Sequence, residues 1–115
     1  MRSMQMHSVP RRLMRHGLVT QLAAFEAVMR IGHAARAAES LCVAQSTLSG
    51  HLRKLSEALG VRLFELVGKQ LVPTPAAHAL LGSVDEVFDA LARCEETLAP
   101  LRQGVRAAGV MYSRP

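Results

Sequence analysis

A mainly α fold is predicted by three observations. Alanine and leucine dominate a 115-residue chain that is 50% apolar yet holds no Trp, three Phe and one Tyr. Apolar residues recur at helical spacing in successive segments, two of which are joined by a tight turn. Gly32, Gly60 and the Thr74-Pro75 pair stand where helices are expected to stop or start. A chain of this length makes one small domain plus an appended helix.

The elements follow in order. Residues 1–17 carry four methionines, four arginines and Pro10 without periodicity, which predicts a disordered basic segment. Met14 is an alternative start. Leu18 to Ile31 is a first helix, with Leu18, Leu22, Phe25, Val28 and Met29 on one stripe and Gly32 ending it. Ala34 to Leu41 forms a second helix, Cys42 to Ala44 a turn, and Gln45 to Leu59 a third helix closed by Gly60.

The third helix is the informative one. Leu48, Leu52, Leu55 and Leu59 fall within a narrow arc, and Ser46, Gly50 and Arg53 lie opposite, with Thr47 and Lys54 beside them. A short helix with a small, polar and basic outer face suits the major groove of DNA. Residues 34–53 therefore have the outline of a helix-turn-helix. After Gly60 the period changes. Two short apolar runs in 61–73 flank Gly68-Lys69, which predicts a small β-hairpin, a wing with Lys69 at its tip.

Thr74 as N-cap and Pro75 at the first position then open a long helix over 74–101. Ala77, Leu80, Val84, Val87, Leu91, Cys94, Leu98 and Leu101 are spaced 3, 4, 3, 4, 3, 4, 3. That is a heptad seam, whose natural partner is a second helix. Leu81 and Phe88 widen the apolar face, as they would on a helix lying against its own domain. Leu80, Val84, Val87, Leu91, Cys94 and Leu98 are the expected dimerisation residues, and 102–115 the expected flexible tail.

Charge is unevenly spread. The chain carries a net +5, with residues 1–73 at +6 and residues 74–100 at −4. A basic front half followed by an acidic segment fits a DNA-facing domain with a distal partner helix. The two cysteines, Cys42 and Cys94, form no CxxC pair and fit a reduced, cytoplasmic setting. Cys42 is expected as a small core residue and Cys94 as a thiol on the seam. No apolar run approaches the roughly 18 residues of a membrane helix, and no secretory signal is visible.

Chemistry-bearing clusters are wanting. Histidines 7, 16, 33, 51 and 78 show no metal-ligand spacing. Ser46, Ser49, His51 and Glu57 include triad residue types but share one helix, which leaves no base-orienting geometry. No catalytic residue, metal or cofactor is expected.

Residues 18–101 resemble the N-terminal part of LysR-type transcriptional regulators. The matching pieces are LAAFEAV in the first helix, AAESL in the second, QSTLS opening the third, then LGVRLFE and a wing ending in PT. FEAV and LFE also resemble the branch that regulates carbon-fixation operons. The resemblance implies a winged helix-turn-helix followed by a dimerising linker helix, binding double-stranded DNA as a dimer or tetramer. Arg36, Gln45, Ser46, Thr47, Ser49, Gly50 and Arg53 are the expected groove-facing set, with Lys54 and Lys69 on phosphates.

The sequence departs from the family pattern at several places. His33 follows Gly32 where Ser is usual, and Ala44 replaces the usual Ser or Thr before the third helix. Gly50 stands where arginine is frequent, Leu66 replaces a wing arginine, and Ala77 replaces a glycine. Full-length members continue into a two-lobed effector domain, so no effector site is expected in this chain. It reads as an excised fragment, a truncated product or a stand-alone module. The expected function is sequence-specific regulation through a dyad-symmetric promoter site. The alternative is a truncated dimerisation module that pairs with an intact regulator and has little DNA affinity.

Overall fold

The computed structural model describes residues 9–108. A short 3-10 turn at Arg11–Leu13 precedes helices α1 (Leu18–Ile31), α2 (Ala34–Ser40) and α3 (Gln45–Leu59). Strands β1 (Phe64–Val67) and β2 (Gln70–Pro73) follow, and helix α4 (Pro75–Ala108) comes last. Residues 1–8 of the basic segment and 109–115 of the tail lie outside the described residues. The chain divides into two compact units, Met1–Gly82 and Ser83–Pro115.

In the first unit α1 packs against both α2 and α3. The alanines explain how three helices meet so closely: Ala24, Ala27, Ala37, Ala38 and Ala58 are all buried. Phe25, Leu48, Leu55 and Leu63 fill the remaining space and are fully enclosed. Each such side chain contributes about 1.5–3 kcal/mol of hydrophobic stabilisation. Phe25 also meets Phe64 with ring centroids 5.9 Å apart and planes tilted by 57°, tying α1 to the base of the hairpin. Gln21 is the exception in this core. Its Oε1 is buried with no hydrogen-bond partner among the described residues.

Capping fixes the turn between α2 and α3. The N–H of Val43 donates to the carbonyl of Ala38, and that of Cys42 to Glu39, both at 3.0 Å. These two bonds form a Schellman motif, whose C′ residue must adopt a left-handed backbone. Cys42 sits there with φ 58°, alone among the described non-glycine residues. Its side chain therefore points out of the turn. Cys42 is exposed and not a core residue, contrary to the sequence expectation.

The wing is a two-stranded antiparallel hairpin pairing Phe64 with Pro73 and Val67 with Gln70. Gly68 takes φ 64°, the positive value that a two-residue connection of this kind demands. Thr74 anchors the base of the wing. Its Oγ1 donates to the carbonyl of Arg62 at 2.7 Å and accepts from the N–H of Ala77 at 3.3 Å. One hydroxyl thus caps α4 and holds the strand entry in place.

Three further differences from expectation have physical causes. Residues 9–17 are not without structure: the Arg11–Leu13 turn packs on α3. A guanidinium nitrogen of Arg12 would lie 3.6 Å from a Cβ added at Gly60, the C-terminus of α3. A cation is favoured there by the helix dipole. Helix α4 also continues through Pro100 to Ala108 instead of stopping near Leu101. Pro100 thus lies inside the helix, and an ion pair between Arg102 and Glu95 spans it on the outside. Finally, Val84 is 2% exposed within the single chain, so it is withdrawn from the seam.

The remaining seam of the second unit faces water. Val87, Leu91, Leu98 and Leu101 are between 41% and 60% exposed, and Cys94 is exposed. Leu80, which precedes this unit, is half-buried.

Candidate nucleic-acid interface

Helix α3 positions the candidate interface by what it hides. Leu48, Leu52, Leu55 and Ala58 are buried, which turns the opposite side of the helix to solvent. Gln45, Ser46, Thr47, Ser49, Arg53 and Lys54 are all exposed, and Gly50 is half-buried. The first turn of α3 begins after Ala44, which supplies no capping side chain. Its free N–H groups and the hydroxyls of Ser46 and Thr47 therefore share one end, where the helix dipole favours acceptor atoms and negative charge.

Gly50 lies in the middle of this face. A Cβ built on it would meet nothing within 4 Å. The glycine is thus not demanded by packing, and it leaves a shallow notch between Ser46, Arg53 and Lys54. Arg53 is only loosely held, its Nε 4.0 Å from Glu57 Oε2 with both side chains more than 60% exposed. A pair this exposed is worth little, so Arg53 is free to exchange partners.

Two cations lie on other elements. Arg36 is an exposed residue of α2, whose N–H donates to Nδ1 of His33 at 3.4 Å. That is a long, weak N-cap, in keeping with the loss of serine at position 33. Lys69 is exposed at the hairpin connection. Arg36, Lys54 and Lys69 make no ion pair among the described residues. Their charges remain available for phosphates.

The comparisons with known proteins decide the family. Residues 19–78, just over half of the chain, match the bacterial regulatory helix-turn-helix proteins of the lysR family. The chain belongs to the LysR family. Among its relatives, the HTH-type transcriptional activator CmpR of Synechocystis is 32% identical over 93 residues, covering 81% of this chain and 30% of that protein. The RuBisCO operon transcriptional regulator of Acidithiobacillus ferrooxidans is 38% identical over 88 residues, 76% of this chain and 28% of that protein. The chain thus spans under a third of the length of these relatives. A solved complex of the BenM DNA-binding domain with benA site 1 DNA superposes with a TM-score of 0.67. It is 26% identical and covers 75% of this chain and 97% of that one.

As a LysR-type helix-turn-helix domain, the chain is a DNA-binding regulator module and not an enzyme. Among the described residues no helix is long and apolar enough to cross a membrane. No cluster of three His, Cys, Asp or Glu that could hold a metal ion occurs among them either.

Sequence reasoning overlooked Arg62. It lies between α3 and β1, makes no ion pair among the described residues, and its carbonyl is the one held by Thr74. The LGVRLFE stretch carries the family resemblance as a whole, without setting its arginine apart. Nothing local in it reveals that the arginine stands beside α3 once the chain turns at Gly60.

Proposed function

We propose that the chain is the DNA-reading and dimerising part of a LysR-type regulator, binding a dyad-symmetric promoter site as a homodimer. The observation that carries this reading is the outer face of α3. It combines Ser46, Thr47, Gly50 and Arg53 around an uncapped N-terminus, with Lys54 and the wing's Lys69 still unpaired. Ser46 and Thr47 lie in the first turn, the part of a recognition helix that reaches base edges in this motif. Gln45 and Ser49 flank them, and Arg36 adds a contact from α2. The exposed row Val87, Leu91, Cys94 and Leu98 supports pairing of two chains, because two copies would remove these side chains from water together. Twofold pairing would present two recognition helices to a palindrome.

The relatives named for the RuBisCO operon make a promoter of carbon-fixation genes the first fragment to try. Affinity for such a dyad fragment is measured across a salt series, beside the mass of the free protein in solution. The expected result is a dimer at micromolar concentration whose affinity falls steeply with salt. Arg53→Ala weakens the dyad site by about 1–3 kcal/mol, whereas Lys69→Ala weakens all sequences alike and lowers the salt slope by about one. A monomer would overturn the assembly proposed. A dimer with no measurable DNA affinity would favour the alternative of a pairing module, which the absent arginine at Gly50 and the exposed Leu66 would then explain.

A further inference from the structure

A groove of about 600 Å³ opens on one flank of α3, between its second half and the hairpin. Leu52, Val61, Phe64 and Leu71 line it, and Arg53 and Arg62 stand with Glu57 among its polar lining groups. The turn that carries its Val61 and Arg62 side is held by hydrogen bonds to Ser56 and Thr74. The N–H of Leu63 donates to Ser56 Oγ at 3.3 Å, and those of Gly60 and Val61 donate to the Ser56 carbonyl at 2.8 and 3.2 Å. Thr74 holds the Arg62 carbonyl from the other side. The backbone of that turn therefore needs no rearrangement to admit a ligand, and the ordering cost falls on the exposed arginine side chains.

The lining chemistry selects the occupant. An apolar floor takes a hydrocarbon chain or ring. At the rim two guanidiniums face one carboxylate, and Arg62 has no acidic partner among the described residues. An unpaired guanidinium beside an apolar slot favours a ligand with one carboxylate at the end of an apolar body. We infer that this groove binds a small hydrophobic monocarboxylate, with Arg62 as its main anchor and Arg53 as the second. It is separate from any two-lobed effector domain. Arg53 lies at the border between the groove and the outer face of α3, so an occupied groove draws its guanidinium away from DNA. Only this last coupling rests on the DNA-binding function proposed above.

The probe is octanoate, with octanol as the neutral control, titrated into the free 115-residue chain and followed by methyl NMR. Saturable shifts at Leu52, Val61 and Leu71 with octanoate, and much weaker ones with octanol, are expected. Arg62→Ala costs octanoate about tenfold in affinity, the size of one charge-assisted hydrogen bond. Leu71→Trp, a change at a half-buried strand position outside the helical core, abolishes binding by filling the slot without adding charge, while an unchanged amide spectrum elsewhere reports that the fold survives. Absent shifts, or equal binding of octanol and octanoate, would overturn the inference. In a parallel DNA titration, octanoate raises the Kd of the parent chain but not that of Arg53→Ala. If the parent bound no DNA at all, the function proposed above would fail while the groove result stood by itself.

Discussion

Helices α3 and α4 carry the same kind of amphipathic pattern and use it differently. In α3 the leucine arc closes on the protein's own core: Leu48 and Leu55 are fully buried and Leu52 is 4% exposed. In α4 the pattern starts the same way, with Ala77 and Val84 buried, yet Leu91 remains 48% exposed. A heptad seam and a core-facing stripe are indistinguishable by spacing alone. What separates them is how much surface the rest of the chain can offer. The winged domain has an apolar bed for a 15-residue helix. Helix α4 is 34 residues long, and Val87, Leu91 and Leu98 of its seam stay exposed in the single chain.

The comparison can be broken most forcefully in the cores of the two helices. Leu55→Ala is expected to lower the unfolding free energy by about 2–5 kcal/mol, read by denaturant melts of the chain. Leu91→Ala removes the same atoms from a half-exposed site and is expected to leave the fold of the winged unit within about 0.5 kcal/mol of the parent. Its effect appears instead in association. Leu91→Asp goes further: if the proposed dimer forms, this variant is expected to be monomeric by sedimentation at concentrations where the parent associates. Equal losses of fold stability from Leu55→Ala and Leu91→Ala would show that both helices serve one core.

Smaller changes sharpen the contrast on α3 and its approach. Cys42→Gly relieves a left-handed backbone that a side chain tolerates poorly, so a gain of about 1 kcal/mol is expected from thermal melts. An unchanged or lower Tm would mean that the thiol contributes something the turn geometry does not. Gly50→Ala adds a methyl into open space on a helix and is expected to stabilise by up to about 1 kcal/mol. Its DNA affinity is the sharper readout. If α3 approaches the groove through the glycine notch, the variant is more stable yet binds the dyad site less tightly. Gly50→Arg restores the family's frequent residue and is expected to tighten binding to generic DNA, measured as a steeper salt dependence.

Much of the molecule was legible locally. The three helices of the winged domain, the glycine that closes α3, the hairpin around Gly68 and the Thr74 cap all follow from short-range rules of periodicity and capping. The exposure of Ser46, Thr47, Arg53 and Lys54 follows as well, because burying one arc of leucines leaves only one outer face. Cys42 was misread because composition favours a buried thiol, whereas a Schellman turn places that position outside. Residues 9–17 were misread too. Their order comes from Arg12 meeting the end of α3, a contact between positions far apart in sequence.

The sequence by itself determined the element order, the family and the residues on the outer face of α3, because each depends on neighbours within one or two helical turns. Only the tertiary structure decided which seam residues are spent inside the chain, since Val84 and Val87 are equivalent by spacing and differ by surroundings. It also decided that Arg62 stands beside α3 over an apolar groove. That placement depends on the turn at Gly60, the Ser56 bonds and the Thr74 clamp acting together, and no local pattern encodes their sum.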